Sequence, residues 1–224
     1  FIHHKEEKII MKLKKIASLM LAGVMAVSML AGCNTASNNN DKPENPDAIP
    51  STSNSATVLH DNMKGDARKM TTPAANADLD SALKQVVDTY FNNEDYLGVL
   101  TGSSVAQVKY DNIAVNLEKA LNAKSDIAVG LNYLLNNDET TIAVELYCVE
   151  ASVSDTYALE QVADKIENDI AGLKDKSNNG EYSYAYTVSA SIVTKPVTSS
   201  IVEGITGGVK YIAVAVTQTP TKVV

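Results

Sequence analysis

The sequence predicts an α+β domain in which an antiparallel-rich sheet carries helices on one face. Three observations lead there. Leu159, Val162, Ile166, Ile170 and Leu173 recur at helical spacing, with Glu160, Asp164, Lys165, Glu167 and Lys174 off the stripe. Residues 141–150 and 182–194 alternate with a period of two, the signature of strands. Residues 209–217 are apolar on both faces, as an interior strand must be.

The domain is expected to span residues 78–219, close to the commonest domain size, with 220–224 as a tail. Leu79, Leu83, Val86, Val87, Tyr90 and Phe91 make residues 78–92 a first helix. Residues 96–101 and 105–110 read as a hairpin over Gly102-Ser103-Ser104. Asp111 can cap a second helix, with Ile113, Leu117, Ala120 and Leu121 on one side. Residues 127–135 and 141–150 read as strands joined around Asn136-Asn137-Asp138. In the second, Ile142, Val144, Leu146 and Cys148 alternate with Ala143, Glu145, Tyr147 and Val149, which puts Cys148 on the more apolar face. Ser154 or Asp155 can cap the third helix, and Ser177-Asn178-Asn179-Gly180 ends it. In the next strand Tyr182, Tyr184, Tyr186, Val188, Ala190 and Ile192 share a face. The order is helix then hairpin, three times over, a repeat of layout without residue-level self-similarity.

Ahead of the domain the composition changes. Residues 33–77 hold four of the six prolines, open on a polar Asn-rich run and contain none of the ten tyrosines. Such a segment buries too little surface to offset ordering entropy and is expected to be a flexible tether. A short helix over residues 55–69 finds no clear apolar face to support it.

Residues 11–32 have the layout of an export signal. Lys12, Lys14 and Lys15 supply the positive region, residues 16–30 the apolar core, and Leu30-Ala31-Gly32-Cys33 the end. The apolar run is short for a membrane span, which needs about 20 residues. This arrangement resembles the bacterial lipoprotein signal, whose lipobox is the Leu30-Ala31-Gly32-Cys33 stretch. The resemblance implies cleavage before Cys33, diacylglycerol on its sulfur, and a protein held on the outer side of a bacterial membrane. Residues 1–10 fit no part of such a signal. Lys5-Glu6-Glu7 is what a ribosome-binding sequence would encode in frame, so Met11 is the expected start and residues 1–10 an untranslated leader.

The charge balance narrows the partners. The whole chain carries −8, and residues 1–32 hold five of its 19 basic but only two of its 27 acidic residues. The remainder is more acidic still, which disfavours nucleic acid and a polybasic membrane contact. The membrane, through the lipid on Cys33, and an envelope protein or glycan are the expected partners. With Cys33 acylated, Cys148 has no disulfide partner in the chain.

Histidine removes much chemistry. Beyond residue 32 only His60 remains, in the expected tether, so the domain offers none to a Ser-His-Asp, Cys-His or His-zinc site. Cys148, among strand apolars with Glu145 and Glu150 near in sequence, lacks the positive surroundings of a reactive thiol. Asp175, Ser177 and Asn179, with Gly180 sixth, resemble the start of a calcium loop, yet Tyr186 stands where the closing Glu belongs. They are a weak metal candidate beside the plainer reading of a helix end and turn. The Gly-rich stretch 204–210 lacks the Gly-Lys-Ser/Thr of a phosphate loop. Tyr182, Tyr184 and Tyr186 form a row that could stack on glycan, though such rows more often pack under a helix. No cofactor is implied.

Two segments of the C-terminal third, Val162-Ala163-Asp164-Lys165-Ile166 and Tyr211-Ile212-Ala213-Val214-Ala215-Val216, resemble the helix-then-strand core of sporulation-associated lipoproteins of Gram-positive bacteria. That family also has a lipobox and an Asn-rich tether; residues 182–208 depart from its compact pattern. The expected function is a lipid-anchored binding or structural module of the envelope, without an evident catalytic site. The alternatives are a carboxylate-based enzyme on cell-wall glycan and a spore-envelope lipoprotein.

Overall fold

Strong apolar alternation in three long segments builds the centre of the molecule. A computed structural model describes residues 52–92, 103–124, 126–132, 137–198 and 206–223. Strands β3 (Thr141–Glu150), β4 (Tyr182–Thr198) and β5 (Thr206–Lys222) form its antiparallel middle. Short strands β1 (Thr71–Pro73) and β2 (Ala106–Val108) close the edges, giving the order β1-β4-β5-β3-β2. β1 runs parallel to β4, with Thr71 opposite Tyr186; β2 runs antiparallel to β3, with Ala106 opposite Cys148. The α+β class and the mostly antiparallel sheet are as the sequence predicts, and β5 is interior. It starts at Thr206, three residues before the expected start at Val209.

The helices cover both faces, not one. β3 and β5 are apolar on both sides, so each side needs a cover. On the first face α1 (Thr52–Asn62), α2 (Gly65–Met70) and α6 (Asp155–Ala171) pack on Ala143, Tyr147, Tyr186, Val188, Ile212 and Val214. On the second, α3 (Ala77–Tyr90) and α4 (Asn112–Leu121) pack on Val144, Leu146, Cys148, Tyr211 and Ala213. The capping residues do what their types allow: Asn76, Asp111 and Ser154 accept from the backbone N–H of Leu79, Ala114 and Tyr157. α6 stops at Gly172, ahead of the expected Ser177–Gly180 stop, and Leu173 still reaches the core.

Two further expectations are corrected. The tether does not run to residue 77. Ala56, Leu59, Met63 and Ala67 are buried, β1 joins the sheet, and Ile49–Val224 forms one compact unit. The spacing of those four residues is helical, but they are few and two are alanines, so composition hid them. The expected strand over residues 127–135 is instead helix α5 (Ile127–Asn132), with 133–136 outside the described residues. A short apolar run fits a strand or one buried helical turn equally well by period. Here Ile127 and Gly130 face inward, one turn apart. A Cβ on Gly130 would lie 2.5 Å from Lys124 Cβ and 3.3 Å from Ala143 Cβ, so only glycine allows this approach. The expected leader, signal and tether up to residue 51, including Lys12, Lys14, Lys15, Leu30, Ala31, Gly32 and Cys33, and the first hairpin arm at 96–101, lie outside the described residues.

Candidate functional site

The residues singled out from sequence do not converge. The tyrosine row is core: Tyr184 and Tyr186 are buried on the first face, with Tyr182 packed against them. Tyr186 Oη donates to the Lys174 carbonyl at 2.6 Å and accepts from Gln218 Nε2 at 3.0 Å, so its polar end is used inside the protein. The row is therefore no platform for glycan. Asp175, Ser177 and Asn179 form the turn from α6 into β4. Ser177 Oγ donates to Asn179 Oδ1 at 2.7 Å and accepts from the Tyr182 N–H at 2.9 Å, while Asn179 Nδ2 donates to Glu181 Oε2. The side chains of Ser177 and Asn179 are turned onto one another and onto the strand, and the Asp175 backbone carbonyl accepts from the Tyr184 N–H at 2.8 Å, the geometry of a turn rather than a calcium cradle.

Cys148 is buried and carries no disulfide. Burial, aided by the Asp111 carboxylate, pushes its thiol up to about 11, which keeps it protonated at neutral pH and unreactive. His60 belongs to the folded unit rather than to a tether. Its Nε2 lies 3.0 Å from the carbonyls of both Arg68 and Thr71 and ties α1 to α2 and β1. That position is structural.

A small cleft opens at the free side of β3. Residue 124 pairs with one end of this side: Lys124 N–H donates to the Ile142 carbonyl at 2.9 Å, and Val144 N–H donates to the Lys124 carbonyl at 2.7 Å. β2 covers the other end, opposite residues 146–148. Neither reaches Glu145, and the gap encloses about 70 Å³, room for a handful of waters. Lys109, Tyr110, Glu118, Asp126 and Glu145 give it a polar lining over Leu117 and Leu146. Tyr110 is 91% exposed and holds a φ of 65°, a left-handed conformation uncommon for a tyrosine.

Two of the lining acids, Asp126 and Glu145, meet a third carboxylate, Asp169, that does not line the cleft. One oxygen each of Asp126, Glu145 and Asp169 lie within 4.8 Å of one another. Glu145 is 5% exposed. Its Oε1 accepts from the Ile127 N–H at 3.3 Å and its Oε2 from the Tyr147 hydroxyl at 2.5 Å. Burial raises the Glu145 carboxyl above its ordinary range; those two bonds oppose the rise, and the Asp126 and Asp169 charges add to it. Tyr147 is raised in turn by burial and by Glu145. Asp169 is raised by burial and then by Asp126, against a lowering by Lys109. Glu118 is raised by burial against Lys119. With both Glu145 oxygens already engaged inside the protein, we assign no ion to this group.

Alternation places Glu145 on the face opposite Cys148, but its role in a buried acid group is not visible from the strand pattern. The missed signal was a charge in the middle of β3, where all other residues from Ile142 to Val149 are apolar or aromatic. Asp126 and Asp169 gave none, since single acids beside a turn or on a helix read as solvated. No protein-family model matches the chain, and no curated protein or solved structure matches it.

Proposed function

We propose that the chain is a lipid-anchored extracytoplasmic lipoprotein whose α+β unit serves as a binding or structural module of the bacterial envelope. One observation carries the reading: three lysines, an apolar run and Leu30-Ala31-Gly32-Cys33 follow in the order an acylation signal requires. The described residues fit such an anchor, since none of their helices is long and apolar enough to cross a membrane. The buried, protonated Cys148 leaves Cys33 as the thiol with a role. Among the described residues the first helix begins at Thr52, in the compact unit that starts at Ile49.

The test is Cys33→Ser in cells fed a labelled fatty acid. The label should disappear, and the protein should leave the membrane fraction or remain unprocessed; a variant still labelled would overturn the reading. A carboxylate-based hydrolase of wall glycan is the second reading, favoured by raised carboxyls beside a cleft. Sugar release from wall polymer by the purified chain, abolished in Glu118→Gln or Asp126→Asn, would support it, and no release across a broad substrate panel would exclude it. The likeness to sporulation-associated lipoproteins makes expression confined to sporulating cells the third outcome to examine.

A further inference from the structure

The stretch ahead of α4 is fastened to the fold from two directions. Residues 106–108 pair with β3. Residues 103–105 are held from α6 by one side chain: Gln161 Nε2 donates to the Ser103 carbonyl at 2.7 Å, and its Oε1 accepts from the Val105 N–H at 3.0 Å. We propose that residues 103–110 form a hinged strap over the edge of β3, latched by the Gln161 amide, which opens as a unit and carries one wall of the cleft with it while the rest of the fold stays closed. The role is independent of how the chain is anchored.

Successive residues of a strand turn their backbone N–H and C=O groups to opposite neighbours. Ile142 and Val144 turn theirs to Lys124, so Leu146 and Cys148 turn theirs to β2, against Val108 and Ala106. Val105, one residue before Ala106, therefore turns its N–H away from β3. Gln161 meets it on that outer side and reaches back to the Ser103 carbonyl. A side-chain amide thus supplies the two bonds that a further strand would otherwise make with this edge.

Little else holds the strap. β2 is three residues long, against ten in β3. Of the strap side chains only Val105 is buried, in the first-face core; Val108 is half-buried and the others are exposed. Opening therefore withdraws one apolar peg and a few backbone bonds, far less than global unfolding exposes. At its far end the chain passes through Tyr110, at its left-handed φ of 65°, into the Asp111 cap of α4, whose Ile113, Ala114 and Leu117 are buried. That end is fixed and serves as the hinge. Gln107, Val108, Lys109 and Tyr110 line the cleft together with Val144, Glu145 and Leu146, so lifting the strap widens the cleft and bares the Leu146 and Cys148 backbone.

The experiment is native-state amide exchange of the full chain, with and without urea below the unfolding transition. The Val105, Ala106, Val108, Leu146 and Cys148 amides should exchange through a shared opening that urea barely accelerates, because it exposes little surface. The Val214 amide of interior β5 should exchange only through a urea-sensitive opening. In Gln161→Ala the strap amides should exchange about tenfold faster, the loss of two hydrogen bonds at a partly exposed site. Val188→Ala, at a fully buried position in β4, two strands from β3, weakens only the global fold; it should speed Val214 and leave the strap amides alone. If Gln161→Ala does not fold, Gln161→Glu, which keeps the acceptor for Val105 and loses the donor to Ser103, should speed the same amides by a smaller factor. Strap amides that share the urea dependence of Val214, that follow Val188→Ala to the same degree, or that ignore the Gln161 substitutions would overturn the latch.

Discussion

Helices α1 and α6 pack against each other and into the same core cluster on one face of the sheet, yet only α6 has a clear apolar stripe in the sequence. α6 buries Leu159, Val162, Ile166 and Ile170, a stripe of large aliphatics flanked by charge. α1 buries Ala56 and Leu59, with Met63 just beyond its end. The stripe has the right spacing but half the apolar bulk, and prolines and asparagines before it give the region the composition of a linker. A helix that contributes a little to a large core leaves a weak pattern, because its stability comes from the surface it covers rather than from its own propensity.

The comparison can be broken most severely by truncation. A chain starting at Asp78 lacks α1, α2 and β1 and so exposes the first-face core beneath them. It should lose its cooperative urea transition, while a chain starting at Ile49 keeps it; equal transitions would restore the tether to residue 77. Paired point substitutions sharpen the contrast. Leu59→Ala and Leu159→Ala each remove a fully buried leucine and should each cost about 2–5 kcal/mol, read from urea midpoints. A negligible cost at Leu59 alone would mean that α1 rests on the sheet without supporting it.

Smaller effects test the elements around the cleft. Gly130→Ala drives a methyl into Lys124 Cβ and should destabilise by about 1–3 kcal/mol, whereas a strand at this position would tolerate alanine. Ser154→Ala removes the α6 cap at an exposed site, with an expected cost of about 1 kcal/mol in thermal or urea unfolding. Cys148 should resist a maleimide in the native state and react once denatured. Native labelling at the denatured rate would contradict its burial.

The strands show where sequence reasoning succeeds. Alternation placed Cys148 and Glu145 on opposite sides of β3 and put Tyr182, Tyr184 and Tyr186 on one face, and the core clusters divide in that way. Nothing local told which elements cover each side, so helices expected on one face are found on both. The candidate site was nearly illegible for the same reason. Its acids are separated by 19 and 24 residues along the chain and meet only because α5 and α6 both flank the middle of β3.

By itself the sequence determined the elements with strong periodicity, the caps at Asp111 and Ser154 and the α+β class, and it supplies the motif ending at Cys33 on which the proposed address rests. These rest on short-range chemistry: spacing of apolar groups, a side chain reaching the next backbone N–H, a motif read in order. Tertiary structure alone decided where the domain begins, that residues 127–132 coil rather than extend, and that three ordinary acids share one buried corner. Each of those depends on partners distant in sequence, whose burial sets the free energy of a segment too weakly patterned to declare its own structure.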